Sequence, residues 1–296
     1  MEGLVPSTQT IPKDKSSSLL SYSEIPEWYQ DNKFILDSYR PVSKSGYSCF
    51  LSLVALHNET INIYSHLVPG TLFLTAEVLI YQYLCTHYPE ATVADYLVFS
   101  FFLLTAGLCL LISATYHTLI NHSKNISSLW LRLDYVGIAI LILGDFISGI
   151  YMVFYYEPFL RCVYWALIIF LDLLIILVLL YPKFQGPCWR TFRVGIFISI
   201  GLSAFAPLIH GTILIGFRAM IKQSGILYYL AEGVILLLGA FIYTTKIPES
   251  LKPGKFDIYG SSHQIFHILV VLATVLHLLG ILSSFHYNYC RTYCHL

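Results

Sequence analysis

Long apolar stretches recur along this chain, near 63–84, 95–118, 130–154, 160–181, 192–214, 226–245 and 263–284. Each is long enough to cross a bilayer core of ~30 Å as a helix, which takes about 20 residues. Lipid offers the backbone no hydrogen-bond partners, so stretches of this kind pair their N–H and C=O groups internally. Composition agrees: 56% of the 296 residues are hydrophobic and 11% charged, against roughly a quarter charged in a soluble domain. The breaks between stretches hold helix-ending residues, such as His87-Tyr88-Pro89-Glu90, Tyr156-Glu157-Pro158 and Lys222-Gln223-Ser224-Gly225. The fold class expected is an all-α membrane protein with seven transmembrane helices.

The remaining segments differ in character. Residues 1–24 begin rich in Ser, Thr, Pro and Lys and read as a disordered tail. Residues 25–62 read as a juxtamembrane segment, with Trp28, Tyr29 and Tyr39 as interfacial anchors. Within it, 46–62 suits a short helix lying on the membrane. The seven-helix domain then spans 63–285, and 286–296 forms a C-terminal tail. A polar N-terminus without an early apolar core predicts no cleavable signal peptide. The formal net charge is zero, which leaves no basic surface for nucleic acid. Seven cysteines are scattered without a CxxC pair, which argues against a zinc ribbon or a thioredoxin-like site. Cys290 and Cys294 leave a disulfide open.

Lysine and arginine set the orientation. The N-terminal segment and the breaks after the second, fourth and sixth stretches share one side and carry thirteen of them; the other side carries four. The positive-inside rule then places the N-terminus in the cytoplasm and the C-terminus in the extracellular or luminal space.

That topology brings polar groups together. The second stretch ends inside with Ser113-Ala114-Thr115-Tyr116-His117, the third begins there with Leu133-Asp134-Tyr135, and the seventh begins with His263 and His267. All five polar side chains then share one depth, a turn or two into the cytoplasmic leaflet. His263 and His267, four residues apart, lie on one helix face. Ionisable groups at membrane depth are functional candidates by default. Three imidazoles with an open position suit a catalytic-type zinc site. The expected metal ligands are His117, His263 and His267. Asp134 is a further ligand or the holder of an attacking water. Ser113, one turn before His117 on the same face, donates to a substrate carbonyl or orients that water. An HxxxH pair can also be two interfacial histidines bonded to neighbours; the shared depth with His117 and Asp134 is what favours a metal.

The other polar residues read differently. His122 falls just past the second stretch, as a solvated or capping residue. His57, His66, Asn58, Glu59 and Asn62 flank the first stretch as packing and hydrogen-bonding positions. His277 stands about 15 Å along the helix from His267 at 1.5 Å per residue, and it and His210 face a cavity or an interhelical partner. Glu77, Asp145, Asp172 and Glu232 line a polar cavity or are neutral and hydrogen-bonded. Gly137, Gly144 and Gly149 read as close-packing positions.

Four motifs in order carry a family resemblance: His57-Asn58-Glu59-Thr60-Ile61-Asn62-Ile63-Tyr64-Ser65-His66, Ser113-Ala114-Thr115-Tyr116-His117, Leu133-Asp134-Tyr135-Val136-Gly137, and Ser262-His263-Gln264-Ile265-Phe266-His267. Together they resemble the progestin and adipoQ receptor (PAQR) family, which includes the adiponectin receptors and the haemolysin III-like proteins. The segment from Ile25 to Pro41 looks most like the adiponectin-receptor and fungal zinc-homeostasis branch. The resemblance covers roughly residues 25–285. It implies seven helices with an inside N-terminus and a zinc ion on His117, His263 and His267. Asp134 would contact the metal through water, with Ser113 beside it. It further implies a receptor-like protein with zinc-dependent hydrolysis of a ceramide-type lipid amide, linked to lipid and zinc homeostasis. A membrane lipid, ceramide or sterol-like, would occupy an internal cavity, and a protein or small molecule would bind the outer face. The membrane would be the plasma membrane or the endoplasmic reticulum. The short N-terminal segment and brief loops differ from the larger animal receptors and do not carry over a protein hormone as ligand. The other reading is a receptor or channel-like protein whose zinc is purely structural, clamping the second and seventh helices. An ion transporter fits less well, because its ligands should recur at several depths.

Overall fold

The computed structural model describes residues 19–184 and 187–294. Its α-helices are α1 Gly46–Leu51, α2 Thr60–His87, α3 Val93–Leu119, α4 Lys124–Val153 and α5 Pro158–Leu180. They continue with α6 Arg190–Leu202, α7 Phe205–Ile215, α8 Phe217–Ser224, α9 Ile226–Thr245 and α10 Ser262–Tyr293. Among the described residues, seven spans are long and apolar enough to cross a membrane, with α6 and α7 together forming the fifth. Among the described residues the only extended pairing is an isolated bridge between Leu20 and Tyr39.

α3 and α4 form the centre of the bundle and α5 and α9 its periphery. Phe99, Phe102, Leu103 and Leu110 of α3 are fully buried, whereas Phe170, Leu173 and Leu177 of α5 stand exposed, as lipid-facing positions do. Small residues allow the central helices to approach closely. A Cβ on Gly107 would come within 2.5 Å of Leu74 Cδ2, and one on Gly144 would collide with Thr105 Oγ1. α3 opens with a capping box: Thr92 accepts from Asp95 N, and Asp95 accepts from Thr92 N at 2.8 Å.

Several boundaries differ from the sequence reading, each for a local reason. The fifth span breaks at Ser203–Ala204. Ser203 turns its hydroxyl back to Ile200 O (2.7 Å), and Pro207, third in α7, has no N–H and so suits a first turn. The short α8 is bracketed by Gly216 and Gly225, both at positive φ (82° and 70°), where glycine carries no steric penalty. α10 continues through most of the expected 286–296 tail. Asn288 is fully buried and donates to Gln223 O of α8 (2.9 Å). All seven cysteines, including Cys290 and Cys294, are free thiols.

The expected tail, 1–24, falls largely outside the described residues, but its end is packed. Leu20 and Tyr39 exchange backbone hydrogen bonds of 2.7 and 2.9 Å. Ile25, Tyr29, Ile35 and Tyr39 form a small core with Ile120 at the end of α3. The segment therefore sits across the loops at one end of the bundle. Asn121 donates to Pro41 O (2.9 Å), Asp257 accepts from Leu36 N and Asp37 N, and Asn32 donates to Glu249 (3.0 Å). The loops after α3 and α9 thus lie on the same side as the N-terminal segment.

Candidate metal centre

The centre is built where α3 ends and α10 begins. Two braces fix those ends. Arg40, 3% exposed, donates to the His117 and Thr118 carbonyls at 2.6 and 3.1 Å, which the end of a helix leaves without intrahelical partners. Glu249, fully buried, accepts from Ser262 N (2.7 Å) and from the Ser262 hydroxyl. Gln264 bonds back to Gly260 N and Ile258 O. His263 and His267 are thereby aimed across the bundle at His117.

The three imidazoles meet edge to edge. His117 Nε2 lies 3.2 Å from His263 Nε2, and His267 Nε2 lies 3.1 Å from the same atom. His117 and His267 are each 2% exposed. Their far nitrogens fix the tautomers. His117 Nδ1 meets the Glu59 carboxylate at 2.8 Å, and His267 Nδ1 meets the Asn62 carbonyl at 3.1 Å. Both partners accept, so both Nδ1 atoms carry the proton and both Nε2 atoms present lone pairs. One N–H on His263 could satisfy only one of them. A shared cation satisfies all three. Tetrahedral ligation with metal–nitrogen bonds of about 2.0–2.1 Å puts ligand nitrogens ~3.3 Å apart, close to the spacing seen. The donor set fits a metal ion.

Of the five residues expected at the site, His117, His263 and His267 come together as a group able to hold a metal. Asp134 stands outside that group. Its carboxylate lies beside Ser113, under the influence of His117, and Ser113, Asp134, His263 and His267 line one cavity. The cavity holds about 430 Å³ and runs between α4, α6, α7, α9 and α10, walled mostly by apolar side chains.

Residues read from sequence as packing positions turn out to serve the centre. Glu59 Oε2 accepts from both His117 Nδ1 and Asn62 Nδ2 (2.6 Å). Burial alone would raise the Glu59 carboxyl; the hydrogen bonds from His117 Nδ1 and the Asn62 amide, with the nearby Arg40 charge, work against it and hold it low. His66 stacks on His267 with centroids 3.8 Å apart and donates from Nε2 to the His267 carbonyl (3.3 Å). The signal is present in the sequence: a carboxylate and two amides within His57–Asn62, at the mouth of an apolar span. His57 itself is buried and accepts from Glu59 N through Nδ1 (3.1 Å). Burial and the nearby Arg40 charge lower its pKa to about 4. His122 turns away to Ser123 Oγ. Glu77 accepts from Ser100 (2.6 Å) and His210 meets Tyr164 (3.0 Å), both interhelical pairs.

Comparison with known proteins bears on this arrangement. Residues 54–278 match the family described as "Haemolysin-III related". The chain is 38% identical over 267 residues to the "ADIPOR-like receptor IZH2" of Saccharomyces cerevisiae, covering 90% of this chain and 84% of the yeast protein. It is 37% identical over 283 residues to the "Adiponectin receptor protein" of Drosophila melanogaster, covering 95% of this chain and 63% of that protein. Over 267 residues it is 33% identical to "Heptahelical transmembrane protein 1" of Arabidopsis thaliana, covering 89% of this chain and 80% of that protein. The matched span encloses the three histidines and Glu59 together with six of the seven spans entire and most of the last. This chain, an adiponectin-receptor-like integral membrane protein with several spans, belongs to the haemolysin-III-related (PAQR) family.

Proposed function

We propose that this protein holds zinc on His117, His263 and His267 and hydrolyses a lipid amide of the ceramide type, as part of a receptor-like role in lipid and zinc homeostasis. The observation carrying this reading is the apolar cavity that opens onto His263 and His267 of the histidine cluster and onto Asp134 and Ser113. Such a volume suits an acyl chain, with its amide near the polar end wall that carries the imidazoles. Bound zinc would supply Lewis-acid chemistry at the amide carbonyl. Asp134 would orient a water at that carbonyl and take up its proton. Ser113 would donate a hydrogen bond to the carbonyl oxygen, where negative charge develops. Glu59 holds the His117 tautomer and Asn62 that of His267, so that both keep lone pairs on the metal side. The N-terminal segment and the site face the cytoplasm in this reading, in the plasma membrane or the endoplasmic reticulum, leaving the opposite face for a ligand.

A second reading makes zinc a clamp between α3 and α10. The near-complete burial of His117 and His267 favours it. Purified protein separates the two: zinc content and ceramide hydrolysis are measured for wild type, Ser113→Ala, Asp134→Asn and His263→Ala. Turnover that falls at least tenfold in the first two variants with zinc retained supports the hydrolase. Zinc in wild type without turnover of any lipid amide sinks the hydrolase in favour of the clamp, and no zinc in wild type sinks both.

A further inference from the structure

The cavity has a second polar cluster that the proposed reaction leaves unused. Asp145 of α4, Glu232 of α9 and His277 of α10 meet about 15 Å along α10 from His267, ten residues at ~1.5 Å each. One ligand atom from each lies within 4.8 Å of the other two. Glu232 Oε2 is 2.8 Å and Asp145 Oδ1 3.9 Å from His277 Nδ1.

The imidazole is held in place. Phe102 and Tyr229 both stack on it, with centroids 4.9 and 5.0 Å away. Its Nε2 meets Ser148 Oγ at 2.9 Å, while the Ser148 hydroxyl donates to Gly144 O at 2.8 Å. With that hydroxyl proton committed, Nε2 is the N–H that donates to Ser148. Nδ1 shares a proton with Glu232 Oε2 at 2.8 Å, and a metal ion binding here would displace that proton and take the Nδ1 lone pair. A ligating histidine has this arrangement, its far nitrogen anchored and its near one facing the ion. Two further observations point to an occupant. Asp145 Oδ1 is sealed from solvent without a hydrogen-bond partner, and Glu232 and His277 are 8% and 3% exposed.

Charge decides what kind of occupant fits. Once that proton is displaced, two carboxylates and a neutral imidazole sum to −2 in a region where uncompensated charge is costly. A divalent cation cancels that charge, whereas a lipid ammonium leaves one negative charge over. We propose that Asp145, Glu232 and His277 form a second divalent-cation site in the cavity wall, separate from the three-histidine centre. One nitrogen and two oxygen donors suit Zn²⁺, Mn²⁺ or Fe²⁺.

The test counts ions. Full-length protein in detergent is stripped of metal and equilibrated with Zn²⁺ alone, and bound zinc is measured per chain. Wild type is expected to hold two ions. Asp145→Asn/Glu232→Gln keeps the shapes but not the charges and is expected to hold one, as is His277→Gln. His117→Ala/His263→Ala, which removes the other centre, is also expected to hold one. One ion in wild type and none in His117→Ala/His263→Ala overturns the proposal, leaving the cluster held by a proton between His277 and Glu232. Two ions persisting in Asp145→Asn/Glu232→Gln overturns it as well, by placing the second ion elsewhere. A single ion that survives His117→Ala/His263→Ala supports this site while removing the three-histidine one.

Discussion

Glu59 gives the sharpest test of how the three-histidine centre is tuned. Its Oε2 atom alone accepts from His117 Nδ1 (2.8 Å) and Asn62 Nδ2 (2.6 Å). Glu59→Gln can therefore keep both hydrogen bonds on its single carbonyl oxygen while losing the charge. Glu59→Ala loses both. A cation on the opposite edge of the His117 ring would lie roughly 6–7 Å from the carboxylate, given metal–nitrogen bonds of ~2.1 Å. Coulomb's law for charges of −1 and +2 at that distance gives about 5 kcal/mol at an effective dielectric of ~20. The net effect is smaller, because the carboxylate itself is desolvated and already shares Asn62. Partners of ligating histidines typically alter metal affinity about 10- to 100-fold. The expected outcome is about tenfold weaker zinc binding for Glu59→Gln, ~1.4 kcal/mol, and about hundredfold for Glu59→Ala. Full-length protein titrated with zinc against a chelator of known affinity reads both. Affinity of Glu59→Gln within twofold of wild type would refute the charge argument. Equal losses in the two variants would refute the separate role given to orientation.

Three further outcomes are expected. His122→Ala keeps its zinc, since His122 turns to Ser123 Oγ at 3.0 Å; loss of metal there would show that the wrong histidine of the α3 end has been assigned. His57, held neutral with its pKa lowered to about 4 by burial and then by Arg40, favours the folded state fully above about pH 6.5. Below that the unfolded chain takes a proton that the folded one refuses, so stability falls between about pH 6.5 and pH 4. Melting temperatures of wild type should drop more steeply across that window than those of His57→Gln, and parallel curves would count against the idea. Gly107→Ala forces a Cβ to within 2.5 Å of Leu74 Cδ2, whereas the nearest atom to a Cβ on Gly137 is Cys109 Cα at 3.4 Å. Overpacking of the first kind costs about 1–3 kcal/mol, so denaturation midpoints should fall more for Gly107→Ala, and the reverse order would contradict the packing described for α2 and α3.

The spans are legible because lipid leaves a long apolar stretch one backbone solution, and the sequence misleads chiefly where side chains decide the ends. Thr60 begins α2 three residues earlier than the apolar count suggests, because the turn at His57–Thr60 is tied by His57 N to Thr60 Oγ1 (2.9 Å). Asn288 keeps α10 helical well past position 284, where the apolar stretch ends, through a bond to α8 that no periodicity reveals. Level depth, inferred from the direction of each span, is enough to bring His117, His263 and His267 into one group. It does not say that Asp134 stands apart from the three nitrogens, since two side chains at one depth can point to different walls. Depth also conceals the cluster of Asp145, Glu232 and His277. Each is one isolated polar residue on its own helix, and only the lateral packing of α4, α9 and α10 joins them.

The three-histidine centre is divided between residues 146 positions apart in the chain, His117 and His263. A ribosome that has delivered α2 through α9 has made only one of the three imidazoles. Until α10 inserts, Glu59 and His117 wait as a bare acid–imidazole pair at the end of an unfinished bundle. No chain stopped short of His267 can assemble the complete triad. A metal ion held there would thus mark a chain made past His267, and it would fasten the last helix made to one of the first.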